Sequence, residues 1–298
     1  SIFTFLFIIL LLLIETRSRS EKRFHNNGGH QGQNFIKEVK SFKAMPLIII
    51  CFIPVLCGFF IPVGILISNI SQFYTFTEVK IIIPILKNTI IVASLGAVII
   101  VSVATFLACT AAAKGDKKLQ NFTSFSAMGY AFPGTMLAIG ILIMAGTIDK
   151  VLSHTFFLPY IAKEPVFISG TILVLLFAYL VRFLAVGYGA NLSGLSKISE
   201  NINWASRTLS KSFSNTITNV SIPLIKKSIV AGGLLAFVDI IKELPMTLLL
   251  RPFNFETLAT YTYQFAHDEL MAQAALPALI IILFGLLPVI FLNGILRK

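Results

Sequence analysis

The sequence predicts an all-α, polytopic helical membrane protein, with six complete transmembrane helices and one truncated helix before them. Three observations carry this expectation. Hydrophobic residues make up 56% of the 298 residues and charged ones only 12%, with a mean hydropathy of +0.87, whereas soluble domains run near 25% charged. Six apolar runs are each long enough to cross a hydrocarbon core of about 30 Å. The lysines and arginines between those runs are shared very unequally. The strands of a barrel would alternate in polarity, and these runs do not. A net charge of +11 in a soluble chain would suggest nucleic acid as partner; here it is explained by basic loops on one face of a lipid bilayer, and no nucleic acid is expected. Cys51, Cys57 and Cys109 lie inside apolar stretches without paired spacing, so neither a disulfide nor a metal framework is indicated.

Taken in order, the chain opens inside an apolar run, Ile2 to Ile14. Its 13 residues fall short of the roughly 20 that a span needs. A signal peptide would start with basic residues and end at small ones; instead Glu15, Arg17, Arg19, Lys22 and Arg23 follow. Residues 1–14 therefore read as the remnant of a preceding transmembrane helix, and the chain as a fragment. Residues 15–45 form a basic linker punctuated by Asn26-Asn27-Gly28-Gly29, in which His25 and His30 are linker histidines rather than a metal site. Residues 46–298 hold the six spans: Pro46 to Ser68, Thr89 to Ala113, Phe125 to Gly146, Val166 to Val186, Ser228 to Leu250, and Ala272 to Leu296. Between the fourth and fifth lies a polar stretch, Gly187 to Lys227, with helical patterns at Ile198 to Leu209 and Phe213 to Ile222; Pro223 is expected to close the second.

Lysine and arginine counts orient these spans. One set of alternate loops carries seven from Arg17 to Lys43, three from Lys114 to Lys118, five from Lys197 to Lys227 and two at the C-terminus. The other set carries Lys80, Lys87, Lys150, Lys163 and Arg251. Seventeen against five places the linker, the 187–227 loop and the C-terminus in the cytoplasm.

No G-x-x-x-x-G-K-[ST] occurs, so a nucleotide is not cradled by that route, and no H-E-x-x-H or G-x-S-x-G gives an enzyme a constellation to stand on. The informative span is the fifth, which holds Asp239, Lys242 and Glu243. Each such charge costs about 2.5–3.5 kcal/mol at the middle of a lipid-facing helix. Asp239 and Glu243 share a face at i, i+4, and Lys242 can pair with Asp239 at i, i+3. Pro245 cannot donate to the carbonyl of Ile241, so the helix is expected to kink there. Two readings stand: a buried ion network that fixes helix packing, or a water-accessible translocation path whose carboxylates offer oxygen ligands to a cation. Smaller signals are Ala93-x-x-x-Ala97 and Ala104-x-x-x-Ala108, which favour close helix approach, and Arg182, expected to snorkel to the interface.

The polar loop resembles that of permease subunits of ABC importers of the first type, in which Glu-Ala-Ala, three residues, Gly, nine residues and Ile-x-Leu-Pro follow in order. Trp204-Ala205-Ser206 and Ser210 stand where Glu-Ala-Ala and Gly would, and Val220-Ser221-Ile222-Pro223 falls at the expected spacing. The run from Asp239 through Lys242-Glu243-Leu244-Pro245 to Arg251-Pro252-Phe253, continuing through Asn254 to Thr260 and Ala274 to Pro277, is similar to ferric-iron importer permeases. So are Asn88-Thr89 and Tyr130-Ala131-Phe132-Pro133-Gly134.

The resemblance implies the second half of a permease made of two fused six-span halves, in the inner membrane of a bacterium. Its partners would be the other permease half, a dimer of ABC ATP-binding subunits and a periplasmic substrate-binding protein. Trp204, Ala205, Ser206, Ser210, Val220, Ile222 and Pro223 would couple to the ATPase, while Asp239, Lys242, Glu243 and Pro245 are the candidates for the translocation pathway. The outward loop Arg251 to Met271, with Glu256, Asp268 and Glu269, would either help receive the binding protein or serve as a solvated connector. No cofactor is expected on this chain; the partner subunit uses the ATP, and this chain is not expected to be an enzyme. Thiamine, a polyamine or another small solute are alternative cargoes. An ion-coupled secondary transporter is the alternative of another class, for which corresponding broken spans in two halves would be the mark.

Overall fold

The computed structural model describes residues 41–74, 76–114, 125, 127–156, 168–198 and 213–296. The expected remnant at 1–14, nearly all of the basic linker, and Trp204, Ala205, Ser206 and Ser210 lie outside the described residues. Among the described residues all regular structure is helical. The chain divides into two compact units, Ser1–Ile65 and Leu66–Lys298.

The first unit holds α1, Ser41–Val55, and a π-turn at Leu56–Phe60; α2, Ile61–Phe73, carries the chain on into the second unit. Pro54 leaves the carbonyl of Ile50 without its helical donor, and the winding widens directly after it. The second unit continues with α3, Phe76–Lys114, a 3-10 turn at Ala127–Ala131, α4, Gly134–Phe156, and α5, Ile172–Leu195. A second π-turn, Ile217–Ser221, is flanked by the short α6, Phe213–Thr216, and α7, Ile222–Leu224. Then come α8, Lys226–Ile241, α9, Pro245–Leu250, α10, Leu258–His267, and α11, Met271–Leu296. Among the described residues, five stretches are long and apolar enough to cross a membrane: Ile48–Phe73, Val79–Ala112, Gly134–Ser153, Ile172–Leu195 and Met271–Phe291. The fifth apolar run of the sequence forms two pieces. The 16 residues of α8 rise about 24 Å and the six of α9 about 9 Å, so neither spans alone and the two together do.

The core of the second unit is the packing of α3, α5 and α8. In lipid there is little hydrophobic drive between helices, so close backbone approach and dispersion must supply the association. Ala93, Ala97, Ala104 and Ala108 are all buried along α3, as their four-residue spacing leads one to expect. Gly187 of α5 sits between the other two helices. A Cβ on it would fall 3.0 Å from the Ala104 Cβ, and one on Gly232 of α8 would fall 3.3 Å from the Gly187 Cα. Polar side chains join the same contact: Asn191 Nδ2 donates to Thr105 Oγ1 at 3.0 Å, both groups buried.

Several boundaries differ from those the sequence suggests. The second span begins at Phe76 rather than Thr89, so Lys80 and Lys87 lie on helix and not in a loop. The third begins at Gly134 because Pro133 cannot continue a helix from the turn before it. The fourth runs on to Leu195, since Gly187, Asn191 and Gly194, which look like loop residues, form its buried packing face. Pro223 does not close the loop helix. The π-turn before it absorbs the missing donor, and the winding continues into α8 with a bend at Ile225 (φ −98°, ψ 11°).

Candidate functional site

The charged span breaks where the sequence places its charges. α8 ends at Ile241, and Pro245 opens α9 at the first helical position, where its absent N–H is not missed. The three charges then part company. Lys242 Nζ meets Asp239 Oδ1 at 2.8 Å on an open face, with the lysine side chain 60% exposed. Leu235, Asp239 and Lys242 recur at i, i+4 and i+7, forming one stripe of α8. Glu243 turns the other way and is buried, at 7% exposure.

Three groups hold Glu243. Its Oε1 lies 3.6 Å from Arg182 Nη1 of α5 and accepts from the Met246 N–H at 3.3 Å, at the start of α9. The opening of α4 also comes up against it: a Cβ on Gly134 would fall 3.1 Å from Glu243 Oε1 and 1.9 Å from Arg182 Nη1. A carboxylate beside a guanidinium and the first N–H groups of α9 is well placed electrostatically. Next to it the Thr247 hydroxyl donates to the Glu243 carbonyl at 2.8 Å and shares a 2.6 Å hydrogen bond with the Tyr179 hydroxyl, so α5 is tied to the break at two levels. The 3-10 turn closes down on α5 as well. A Cβ on Gly129 would lie 2.0 Å from the Val181 carbonyl oxygen, and the Tyr130 and Phe183 rings pack at 6.2 Å.

Arg182 thus departs from the expectation that it snorkels. It is ten residues, or about 15 Å, into α5, and its counter-ion Glu243 keeps it there. The sequence shows both residues but not their pairing, because 61 positions separate them. The Pro133-Gly134 motif is the only local sign that something must approach closely. Of the pathway candidates, Asp239 and Lys242 share a face, and Glu243 forms a separate buried group with Arg182 and the Met246 N–H.

A second polar cluster fixes the segment after α9. Arg251 Nη1 pairs with Glu256 Oε1, Thr260 Oγ1 donates to Glu256 Oε2 at 2.7 Å, and Gln264 Nε2 donates to Glu256 Oε1 at 3.3 Å. Asn88 and Thr89 of α3 bind the same segment: Asn88 Nδ2 donates to the Glu256 carbonyl at 3.4 Å, and the Leu258 N–H donates to Thr89 Oγ1 at 2.8 Å. Thr257 and Thr260 form a capping box on α10. Glu256 is therefore a structural group, while Asp268 and Glu269 remain exposed. The segment from Arg251 to Met271 is largely the helix α10, with Phe253 standing 97% exposed before it.

Of the residues expected to couple to an ATPase, Val220 lies in the π-turn and Ile222 and Pro223 in α7, which meets α8 at the bend at Ile225. Ile225 N–H donates to the Ser221 carbonyl at 3.1 Å and Ile229 N–H to the Ile225 carbonyl at 3.0 Å. Among the described residues no group of three His, Cys, Asp or Glu side chains is placed to hold a metal.

Compared with solved structures, the chain aligns with a chain of the crystal structure of a bacterial alginate ABC transporter in complex with alginate pentasaccharide-bound periplasmic protein. The TM-score is 0.67 at 14% identity, covering 86% of this chain and 94% of that one. The fold is that of an ABC importer permease. A second crystal structure, of a bacterial ABC transporter involved in the import of the acidic polysaccharide alginate, aligns with a TM-score of 0.65 at 13% identity, covering 86% of this chain and 95% of that one. In sequence, the permease fold here is 24% identical over 207 residues to the Fe(3+)-transport system permease protein FbpB 2 of Haemophilus influenzae. That match covers 70% of this chain and 38% of the relative's length, so the chain spans well under half of the curated relative it matches. No protein-family model matches.

Proposed function

We propose that this chain is the second six-span half of a fused permease in an ATP-driven ABC importer of ferric iron, seated in a bacterial inner membrane with its C-terminus in the cytoplasm. The observation that carries the importer reading is the permease fold, which extends over 86% of this chain. The cargo rests on the ferric-iron relative and on the run from Asp239 to Thr260 that resembles such permeases. The chain performs no covalent chemistry and binds no cofactor; a pair of ATP-binding subunits hydrolyses ATP, and a periplasmic binding protein delivers the substrate.

Force enters through the loop that holds Trp204, Ala205, Ser206 and Ser210. It passes through Val220, Ile222 and Pro223 along continuous winding to Ile225, and from there into α8. At the far end of α8 lies the break, with Lys242 and Asp239 on an open face. A charge on that face would cost about 2.5–3.5 kcal/mol against lipid, so the face meets the water-filled path or the other permease half. Glu243 stays behind it, clamped by Arg182, and keeps the pieces of the broken helix in register with α5.

Proteoliposomes holding the full permease, the ATP-binding subunits and the binding protein test this reading. Ferric-ion uptake that needs ATP is expected, and Lys242→Ala should slow it while leaving the assembly intact. Uptake driven by an ion gradient without ATP would make the protein a secondary transporter. ATP-driven uptake of thiamine or a polyamine, but not of ferric iron, would keep the importer and overturn the cargo.

A further inference from the structure

The bundle carries a groove to which the transport reading assigns no ligand. It lies between the last third of α3 and the stretch running from the second π-turn into α8. It encloses about 530 Å³, with walls formed by Val101, Phe106, Ile217, Ile222 and Ile229. Its α3 hydroxyls are spent elsewhere. Ser102 Oγ donates to the Val98 carbonyl at 2.7 Å, Thr110 Oγ1 donates to the Phe106 carbonyl at 2.8 Å, and Thr105 Oγ1 accepts from Asn191 at 3.0 Å. These side chains therefore present the groove with methyl, methylene and phenyl surface.

Lysines stand close in the chain to the residues that line the groove. Lys226 opens α8 directly after the bend at Ile225, between the lining residues Ile222 and Ile229 in the chain, so it stands within about one turn of the groove wall. Lys227 is its neighbour. Lys197 follows the end of α5, where Gly194 packs so closely on α8 that a Cβ would fall 2.5 Å from Ser228 Oγ. All three lysines are exposed, and none is ion-paired among the described residues. The distribution of lysine and arginine along the chain puts this end of the bundle at the cytoplasmic leaflet, where anionic lipids gather.

We propose that this groove is a binding site for an anionic phospholipid, with one acyl chain laid between α3 and the π-turn and the phosphate held by Lys226 and Lys227. A water-soluble ligand would find few polar partners on such walls. A zwitterionic lipid would fill the groove but gain little from adjacent ammonium groups. One wall is the end of the coupling loop, so an occupied groove would brace that loop where it enters the membrane. The site needs only the bilayer and this orientation, and it stands whether or not the importer reading holds.

Native mass spectrometry of the full chain, exchanged into mixed phosphatidylglycerol and phosphatidylcholine, tests it. Phosphatidylglycerol should be retained in preference. Lys226→Gln with Lys227→Gln should lower its retention about fivefold per lysine at low salt, and Lys226→Arg with Lys227→Arg should restore it. Ser102→Phe, which fills the groove from an exposed position, should remove the bound lipid while the lysines remain. Equal retention of both lipids overturns the proposal, as does an undiminished preference in the glutamine variant or in Ser102→Phe. A groove occupied by another segment of protein would show as no retained lipid of either kind, and that result also overturns it.

Discussion

Glu243 and Lys242 are neighbours with opposite fates, and substitutions should separate them. Removing the Glu243 carboxylate leaves the Arg182 guanidinium buried without its counter-charge, a loss of about 3 kcal/mol. Glu243→Ala should therefore unfold at clearly lower denaturant in detergent, and replacing Arg182 by Met in the same chain should recover most of the loss. Lys242→Ala removes one member of an open pair and should change stability by about 1 kcal/mol or less, with its effect falling on transport instead. Thr247→Val strands the buried Tyr179 hydroxyl and should cost about 1 kcal/mol or more by the same unfolding measurement. The glycines give a sharper contrast. Gly129→Ala drives a methyl against the backbone carbonyl of Val181, which cannot step aside, whereas nothing lies within 4 Å of a Cβ on Gly140. Thermal unfolding should show a large loss for the first and none for Gly140→Ala, where replacing glycine by alanine in a helix favours folding. The sequence alone marks neither glycine, since what distinguishes them is the neighbour they meet and not the residues beside them.

Among the elements, the spans are legible wherever long apolar runs decide them, and the errors have a common cause. Composition marks where lipid begins, but helices do not stop there. α3 continues outward through Lys80 and Lys87 because helical backbone satisfies itself in water as well as in lipid. α5 continues through Gly187, Asn191 and Gly194 because these residues pack on α3 and α8. Gly232→Leu should push α8 away from Gly187 and Ala190, and the expected outcome is a chain that expresses but unfolds at lower temperature. The break between α8 and α9 is foreseen from Pro245, yet its mechanism is not. The proline starts the second piece, and Glu243 fixes the junction through the Met246 N–H and the far-off Arg182. Pro245→Ala alone should therefore leave the break in place, because Thr247, Glu243 and Tyr179 still hold α9. Distances between spin labels on Leu235 and Leu249 should match those of the unchanged chain; a lengthening to a straight helix would show that the proline alone makes the break.

For the whole molecule, the all-α membrane architecture is legible in apolar runs and basic loops, and the permease fold only through the resemblance carried by the polar loop and the run from Asp239 to Thr260. What the sequence does not disclose is how the four charges near the break divide into an open pair and a buried one, because that division depends on contacts across 61 residues of chain. In the proposed importer, the 187–227 region takes its drive from an ATPase on the cytoplasmic side and delivers it through Ile225 to α8. The most direct measurement is labelling of Ser206→Cys, in a chain whose Cys51, Cys57 and Cys109 are replaced by Ser, with a membrane-impermeant maleimide. Inside-out vesicles should label and right-side-out vesicles should not, and adding the ATP-binding subunits should protect the site. Labelling from the outside, or labelling that the ATP-binding subunits leave unchanged, would contradict it.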